Sequence, residues 1–222
     1  MLRFCLYILS LFLPWPLRYR YLNFVFGYKI SPNARIGVSL VILKTLEMNE
    51  GSSIGNLTVI KGFDHLSLGR FARIGNLNWI TGFSKNQKKH FSHIYDRDPS
   101  LIIGNHSAIT NRHLIDCTDK VELGCFTTFA GFRSQILTHS IELDTSRQGS
   151  KPVFIGDYCF VGTGAVILGG AVLPDYSVLG AASLLIEKHQ DQYSLYGGIP
   201  ARKIKELPKS YAYFNRQRGF VD

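Results

Sequence analysis

Aliphatic side chains recur at every sixth residue through most of the chain, most clearly between residues 155 and 185. Each six-residue unit there begins with Ile, Val or Leu and carries a small residue at its fifth position. The first positions are Ile155, Val161, Ile167, Leu173, Leu179 and Leu185, and the fifth positions are Cys159, Ala165, Ala171, Ser177 and Ser183. A period of six matches neither a helix nor an alternating strand. It predicts short parallel strands joined by tight corners, three to a coil, with one aliphatic side chain per unit pointing inward.

Shorter tracts with the same period precede this region and begin at Ile30, Ile54, Leu68 and Ile103. Glycine follows the aliphatic residue at many of the expected corners, where it relieves the backbone geometry. The prediction is therefore an all-β solenoid over residues 29–207, in which each strand pairs with the strand one coil away.

The N-terminal segment, residues 1–28, has a different character. Residues 4–17 are almost wholly apolar, but the run is shorter than the ~20 residues that a spanning helix needs. Pro14 and Pro16 end any helix there. Aromatic and basic residues are mixed over residues 18–29, a composition that suits the headgroup region of a membrane. Two interpretations stay open: peripheral membrane contact, and a helix packed on the body of the protein or on a neighbouring subunit.

Two insertions interrupt the repeat, and a tail follows it. The first insertion, near residues 81–100, is rich in Lys and His, and we expect a solvated loop. The second, near residues 138–152, lies beside the candidate chemistry described below, and loops on a rigid scaffold commonly carry function. The tail, residues 208–222, is basic and aromatic, and it is predicted either to cap the last coil or to touch a membrane.

The charge and cysteine content limit the function classes. Lys and Arg number 25 against 16 Asp and Glu, giving a net charge of +9, which favours anionic partners. The basic residues are scattered and form no recognition motif, so nucleic-acid binding is not expected. The four cysteines contain no CxxC pair, which argues against a zinc ribbon or a redox motif and for reduced thiols.

Three segments resemble a known family. They are Leu137-Thr138-His139-Ser140, the following KPVFIGDYCFVGTGAV, and the terminal YGGIPARKIKEL. Together with the repeat, they resemble the hexapeptide-repeat acyltransferases, and in particular bacterial sugar and polysaccharide O-acetyltransferases. The resemblance implies a left-handed parallel β-helix with a short apolar N-terminal helical segment and a short C-terminal tail. It also implies a homotrimer, acetyl-CoA as co-substrate, a sugar or glycan acceptor and no metal.

The resemblance also assigns candidate catalytic and acceptor residues. His139 matches the family's general base, and imidazole suits that role because its usual pKa of about 6.5 lies near working pH. Asn111 matches a residue that helps to hold the acceptor or the oxyanion, and Asp116 matches one that binds acceptor hydroxyls. His113 stands at a fifth position, where the repeat favours a small residue. It is predicted either to face the cleft and bind substrate or to mark a slip in the repeat register.

The expected coenzyme A contacts lie in the later coils. Thr163 and Ala181 match residues that line the cofactor at the corners. Arg202 and Lys205 match basic residues that meet its phosphates, for which charge-assisted hydrogen bonds are suited. The family's Thr-Lys pair is replaced here by Ile186-Glu187, a departure that removes one expected phosphate contact.

The expected function is acetyl transfer to a sugar hydroxyl in surface polysaccharide or lipopolysaccharide biosynthesis. The expected location is the cytoplasm, at the inner face of the cell membrane. One alternative is a non-catalytic solenoid that serves as a binding module or scaffold at the membrane. A second is a γ-type carbonic anhydrase, but its His-x4-His zinc ligand pair is absent from the sequence.

Overall fold

Two helices and then a long series of short strands make up the computed structural model, which describes residues 2–87, 89–219 and 221. Parts of the predicted terminal segments and first insertion, namely Met1, Lys88, Phe220 and Asp222, lie outside the described residues. The helices are α1 (Leu2–Ser10) and α2 (Trp15–Phe26). The strands are β1 (Lys29–Ile30), β2 (Arg35–Ile36), β3 (Leu40–Ile42), β4 (Thr45–Met48), β5 (Ser53–Ile54), β6 (Val59–Lys61), β7 (His65–Leu68), β8 (Arg73–Ile74), β9 (Trp79–Thr81), β10 (Ser100–Ile103), β11 (Ala108–Ile109), β12 (Leu114–Asp116), β13 (Val121–Leu123), β14 (Thr128–Phe129), β15 (Gln135–Leu137), β16 (His139–Glu142), β17 (Arg147–Ser150), β18 (Val153–Ile155), β19 (Phe160–Val161), β20 (Val166–Leu168), β21 (Val172–Leu173), β22 (Val178–Leu179), β23 (Leu184–Leu185), β24 (Ser194–Gly198) and β25 (Ala201–Glu206).

Successive strands of the chain belong to three different sheets in turn. Up to β15, every third strand joins the same sheet, so that β1 pairs in parallel with β4 and β4 pairs in parallel with β7. The register sets the aliphatic positions of successive coils side by side: Ile36 pairs with Ile54, and Ile54 pairs with Ile74. The sheets are therefore mostly parallel, and three strands complete one turn of the chain, as the period of six predicted.

The interior column is built from the first and fifth positions of the repeat. The six aliphatic first positions between residues 155 and 185 are each at most 1% exposed. The small fifth positions in the same stretch are at most 2% exposed, because the chain turns sharply beside them. Each fully buried aliphatic side chain contributes about 1.5–3 kcal/mol of transfer free energy. The predicted inward positions are thus confirmed in this stretch.

The N-terminal helices cover the open end of the first coil. Pro14 precedes α2, and Gly27, with a φ of 68°, ends it. The Tyr7 hydroxyl donates to the carbonyl of Ser39 at 2.9 Å, and Arg18 donates to the carbonyls of Ile36 and Gly37. One side of the segment is therefore packed on the coils, while its other side is exposed. Among the described residues, no helix combines the length and the apolar character needed to cross a membrane.

Both insertions leave the stack of coils at the same corner, between the third sheet and the first. The first insertion joins β9 to β10, and the second is an antiparallel hairpin formed by β16 and β17. In the hairpin, His139 pairs with Ser150 and Glu142 pairs with Arg147. The second insertion is thus an ordered ribbon that begins at His139.

The C-terminal part closes the other end and then turns back along the side of the coils. Strands β24 and β25 form an antiparallel hairpin at the end of the second sheet. A short 3₁₀-helix, Ala212–Asn215, follows, and its Phe214 ring packs edge-on against Tyr176 and Tyr193. The Tyr213 hydroxyl donates to the carbonyl of Cys159 at 2.8 Å. The tail therefore packs beside several coils instead of capping the last one.

Candidate active site

His139 stands at the base of the hairpin, directly after the corner that follows β15. Its Nδ1 lies 2.7 Å from Oδ2 of Asp116, and its side chain is 32% exposed. Because an ionised carboxylate only accepts hydrogen bonds, Nδ1 carries the proton and Nε2 holds the free lone pair. The pair thus fixes the ring and presents Nε2 as the basic nitrogen.

The carboxylate of Asp116 is held by two threonines as well as by His139. Oδ1 accepts hydrogen bonds from the backbone and hydroxyl of Thr118, at 3.2 and 2.6 Å. Oδ2 accepts from the backbone and hydroxyl of Thr138, at 2.9 and 2.6 Å, and from the backbone of His139 at 3.2 Å. Since both oxygens are occupied and the side chain is buried, the geometry favours a positioning role over the predicted binding of acceptor hydroxyls.

The pair shifts the pKa of each of its members. Burial alone raises the pKa of Asp116, but the hydrogen bonds from His139, Thr118 and Thr138 outweigh it, so the pKa lies below its ordinary value. The hydrogen bond to Asp116 raises the pKa of His139, against the opposing effects of partial burial and of the charge on Arg97. The carboxylate therefore stays ionised and strengthens the imidazole as a base.

The first insertion packs directly on the imidazole of His139. The rings of Phe83 and Phe91 meet it edge to face, with centroids 5.7 and 6.0 Å away at interplanar angles of 87° and 90°. Phe91 is only 3% exposed. The expectation that this insertion is a solvated loop is therefore wrong for its inner side, because two aromatic side chains bury their surface against the site.

Arg97 ties the two ends of the first insertion to the coils. Its guanidinium donates to the carbonyls of Phe83, Ser84 and Thr118 and lies 4.6 Å from the centre of the Phe91 ring. At 1% exposure, it is among the largest fully buried side chains. No spacing rule in the sequence marks Phe83, Phe91 or Arg97, since all three lie where the repeat is interrupted.

His113 is an interior residue. Its side chain is 2% exposed, Nδ1 accepts a hydrogen bond from the backbone of Ser134, and Nε2 lies 2.9 Å from the hydroxyl of Thr110. Burial lowers its pKa to about 4, so the ring is neutral at pH 7. The prediction that it binds substrate is corrected: both ring nitrogens already have partners inside the coil, and the repeat register is intact.

Asn111 lies at a different corner, between the second and third sheets. Its Oδ1 accepts a hydrogen bond from the backbone of Asn76, whose own Oδ1 accepts from the backbone of Asn56. The side chain therefore belongs to a ladder that joins successive coils. The structure does not bring the predicted catalytic Asn111 together with His139 within one chain.

Thr163 and Ala181 continue the same corner as Asn111 on later coils. The Thr163 hydroxyl accepts a hydrogen bond from the backbone of Phe132 and donates one to its carbonyl. The Thr163 carbonyl accepts from the backbone of Ala182, which joins it to the next coil. Both predicted cofactor residues are exposed, so the structure places them together on one accessible edge.

Arg202 and Lys205 lie on the closing strand β25. Arg202 forms an ion pair with Glu187, with 2.6 Å between its Nη1 and Oε1, and both side chains are at least half exposed. Lys205 is exposed, and its backbone pairs with Leu195. Phosphate binding by Arg202 requires exchange of its partner, and solvent screening weakens the attraction within such an exposed pair.

Metal chemistry has no evident support in the described part of the chain. No group of three or more His, Cys, Asp or Glu side chains in the described residues is arranged to hold a metal ion. The ligand set that a γ-type carbonic anhydrase needs is therefore not found there.

No protein-family model matches the chain. Among solved structures, the polysialic acid O-acetyltransferase OatWY aligns over 81% of this chain and 84% of its own, at 19% identity and a TM-score of 0.52. The S84T mutant of AntD, an N-acyltransferase from Bacillus cereus in complex with dTDP and coenzyme A, aligns over 82% of this chain and 87% of its own, at 16% identity and a TM-score of 0.52. The chain has the fold of these acyltransferases, and its recognition as a hexapeptide-repeat sequence is confirmed at the level of the fold.

Proposed function

We propose that the protein is an O-acetyltransferase that moves the acetyl group of acetyl-CoA to a hydroxyl of a sugar or glycan. The observation that carries the proposal is the His139–Asp116 pair, a fixed and partly exposed imidazole whose basicity a buried carboxylate raises. Two structural relatives support the substrates, since one is a polysialic acid O-acetyltransferase and the other was crystallised with coenzyme A. Surface polysaccharide or lipopolysaccharide biosynthesis is the proposed setting.

In the proposed reaction, Nε2 of His139 takes the proton from the acceptor hydroxyl as its oxygen attacks the thioester carbonyl carbon. The new carbon–oxygen bond gives a tetrahedral intermediate, which collapses with cleavage of the carbon–sulfur bond. The departing thiolate takes the proton back from the imidazolium, so the base is regenerated. Asp116 stabilises the transient imidazolium and keeps the reactive tautomer in place.

The cofactor would lie along the corner that carries Thr163 and Ala181, with its phosphates toward Arg202 and Lys205. Because this corner differs from the corner of His139, we propose a homotrimer in which the cofactor lies in the groove between two subunits. We also propose that the coils are left-handed, as the resemblance to the hexapeptide-repeat family implies. The chain would then consist of an N-terminal segment (1–28), the β-helix (29–207) and a C-terminal tail (208–222).

The N-terminal segment is proposed to hold the protein at the inner, cytoplasmic face of a membrane. Its exposed apolar side chains include Phe12 at 83% and Phe24 at 91%, and Leu17 and Phe24 share one side of α2 with the exposed Arg20. An apolar surface that carries a cation suits a bilayer with anionic lipids. Such contact would bring the site to a lipid-linked or envelope-bound acceptor.

The decisive variant is His139→Ala, assayed for acetyl transfer and for coenzyme A binding by calorimetry. Loss of the general base predicts a fall in kcat of about 10²–10⁴-fold with unchanged coenzyme A affinity. His106→Ala is the matched control, because that ring stacks between Phe71 and Phe126 at another corner. Near-normal turnover by His139→Ala would refute the assigned base. Absence of coenzyme A binding by the wild-type protein would favour the non-catalytic scaffold.

A further inference from the structure

A cleft of 490 Å³ separates the first insertion from the hairpin of the second. Both insertions contribute four residues to its lining, which consists of Lys89, His90, Ser92, His93, Ile141, Ser146, Arg147 and Gln148. Its walls are therefore made by the two segments that interrupt the repeat. None of its lining residues belongs to the coils.

The lining of the cleft is cationic. Lys89 and Arg147 carry fixed charges, both are exposed, and neither forms an ion pair with any described residue. None of the eight lining residues is acidic. Glu142 lies opposite Arg147 in the hairpin, but its carboxylate accepts a hydrogen bond from Thr145 and forms no ion pair with Arg147. Asp144 is exposed near the turn. The two fixed cations thus remain available to a ligand.

The cleft adjoins the candidate base. Ile141, in its wall, is two residues from His139 on β16, which corresponds to about 7 Å along a strand. On the opposite wall, the ring of His90 lies 5.8 Å from the ring of Phe83, which packs on His139. The cleft and the candidate base are therefore neighbours, both along β16 and across the first insertion.

We propose that this cleft binds an anionic group of the acceptor, a carboxylate or a phosphate, on the acetylated sugar or on the next residue of the glycan. The inference rests on the proposed acetyltransferase function and narrows its substrate class. Arg147 suits the task because a guanidinium can hold two oxygens of a carboxylate or phosphate at once, and Lys89 adds a second charge. Neutral hydrogen-bonding groups in the lining, such as Gln148, suit the sugar hydroxyls.

The test compares acetylation of three glycan sets with radiolabelled acetyl-CoA: neutral oligosaccharides, oligosaccharides with uronic or sialic acids, and phosphorylated oligosaccharides. Wild-type protein is expected to prefer one of the anionic sets, and the preferred set identifies the anion. In Arg147→Gln and Lys89→Gln, the KM for that acceptor should rise about ten-fold, as expected when one charge-assisted contact is lost. The kcat and the KM for acetyl-CoA should stay unchanged.

Arg70→Gln is the matched control, because Arg70 is exposed between β7 and β8, at a corner that carries neither insertion. Added NaCl should raise the acceptor KM of the wild type more than that of Arg147→Gln, since salt screens exposed charges. Equal use of neutral and anionic glycans, or an unchanged KM in both cleft variants, would overturn the cleft assignment while acetyl transfer itself persists. Failure of all three sets to accept acetyl would instead overturn the proposed function, and the inference with it.

Discussion

The hydrogen bonds of Asp116 give the proposed base, His139, one orientation and one tautomer. A free imidazole distributes its proton between two nitrogens and rotates about two bonds. In this protein the carboxylate holds Nδ1, while Thr118 and Thr138 hold the carboxylate. The ring therefore presents one nitrogen in one orientation, which lowers the entropic cost of reaching the reactive geometry.

Replacing Asp116 with Asn should lower kcat by about a hundred-fold, because an amide can turn its NH₂ group toward Nδ1 and select the wrong tautomer. The pH profile should change as well. A general base works when deprotonated, so activity falls as pH drops through the pKa of His139. Asp116 raises that pKa, and its loss should move the acidic limb of kcat/KM to lower pH.

Thr118→Val is the companion variant for this prediction. It removes one hydrogen bond to Oδ1, and one from the backbone of Phe83, but leaves the charge beside His139. The acidic limb should therefore stay near its wild-type position while kcat falls only modestly. If Asp116→Asn keeps the wild-type pH profile, the carboxylate does not tune the imidazole.

The sequence marked His139 and Asp116 as candidate site residues, but it did not predict the hydrogen bond between them. The segments on both sides of His139 carry the family resemblance, whereas the contact with Asp116 joins residues 23 positions apart and depends on the register of two coils. His113 shows a second limit. A histidine breaks the small-residue rule, but only the structure reveals that Thr110 and Ser134 satisfy both ring nitrogens inside the coil.

At the scale of elements, the regular coils were predictable and the insertions were not. A period of six determines which side chains point inward. Because three units complete one coil, it also determines that each strand pairs with the strand one coil away. The first insertion has no period, and its lysines and histidines indicated a solvated loop. In the structure, however, Phe83 and Phe91 cover one side of the His139 ring. Long-range contacts made by Arg97 decide this packing, and composition carries no information about them.

Arg97→Gln should therefore loosen the first insertion without unwinding the coils. The expected result is a fall in kcat of about ten-fold or more, because small displacements of a catalytic group are costly, with coenzyme A affinity unchanged. Limited proteolysis should cut the variant within residues 82–99 faster than the wild type. Arg70→Gln again serves as the control for loss of one positive charge. Wild-type kinetics together with wild-type protease resistance would contradict the anchoring role of Arg97.

At the scale of the whole molecule, the two ends of the stack are closed in different ways. A stack of coils exposes unpaired strand edges and core side chains at each end, and repeat proteins need caps there. Strands β24 and β25 close one end with backbone pairing. Helices α1 and α2 close the other with buried side chains such as Tyr7 and Leu22, and their outer side remains apolar and exposed. The cap is thus also the surface proposed to meet lipid.

The double variant Phe12→Glu/Phe24→Glu tests that surface. Both rings are more than four-fifths exposed, so the substitutions should leave folding and coenzyme A binding intact. Binding to vesicles of phosphatidylcholine with phosphatidylglycerol, measured by co-sedimentation, should weaken at least about ten-fold, because two apolar anchors become anions that the lipid charge repels. Leu57→Glu is the control, since Leu57 is 65% exposed at a corner of the coils. Equal vesicle binding by the double variant, or none by the wild type, would leave the N-terminal segment as a cap alone.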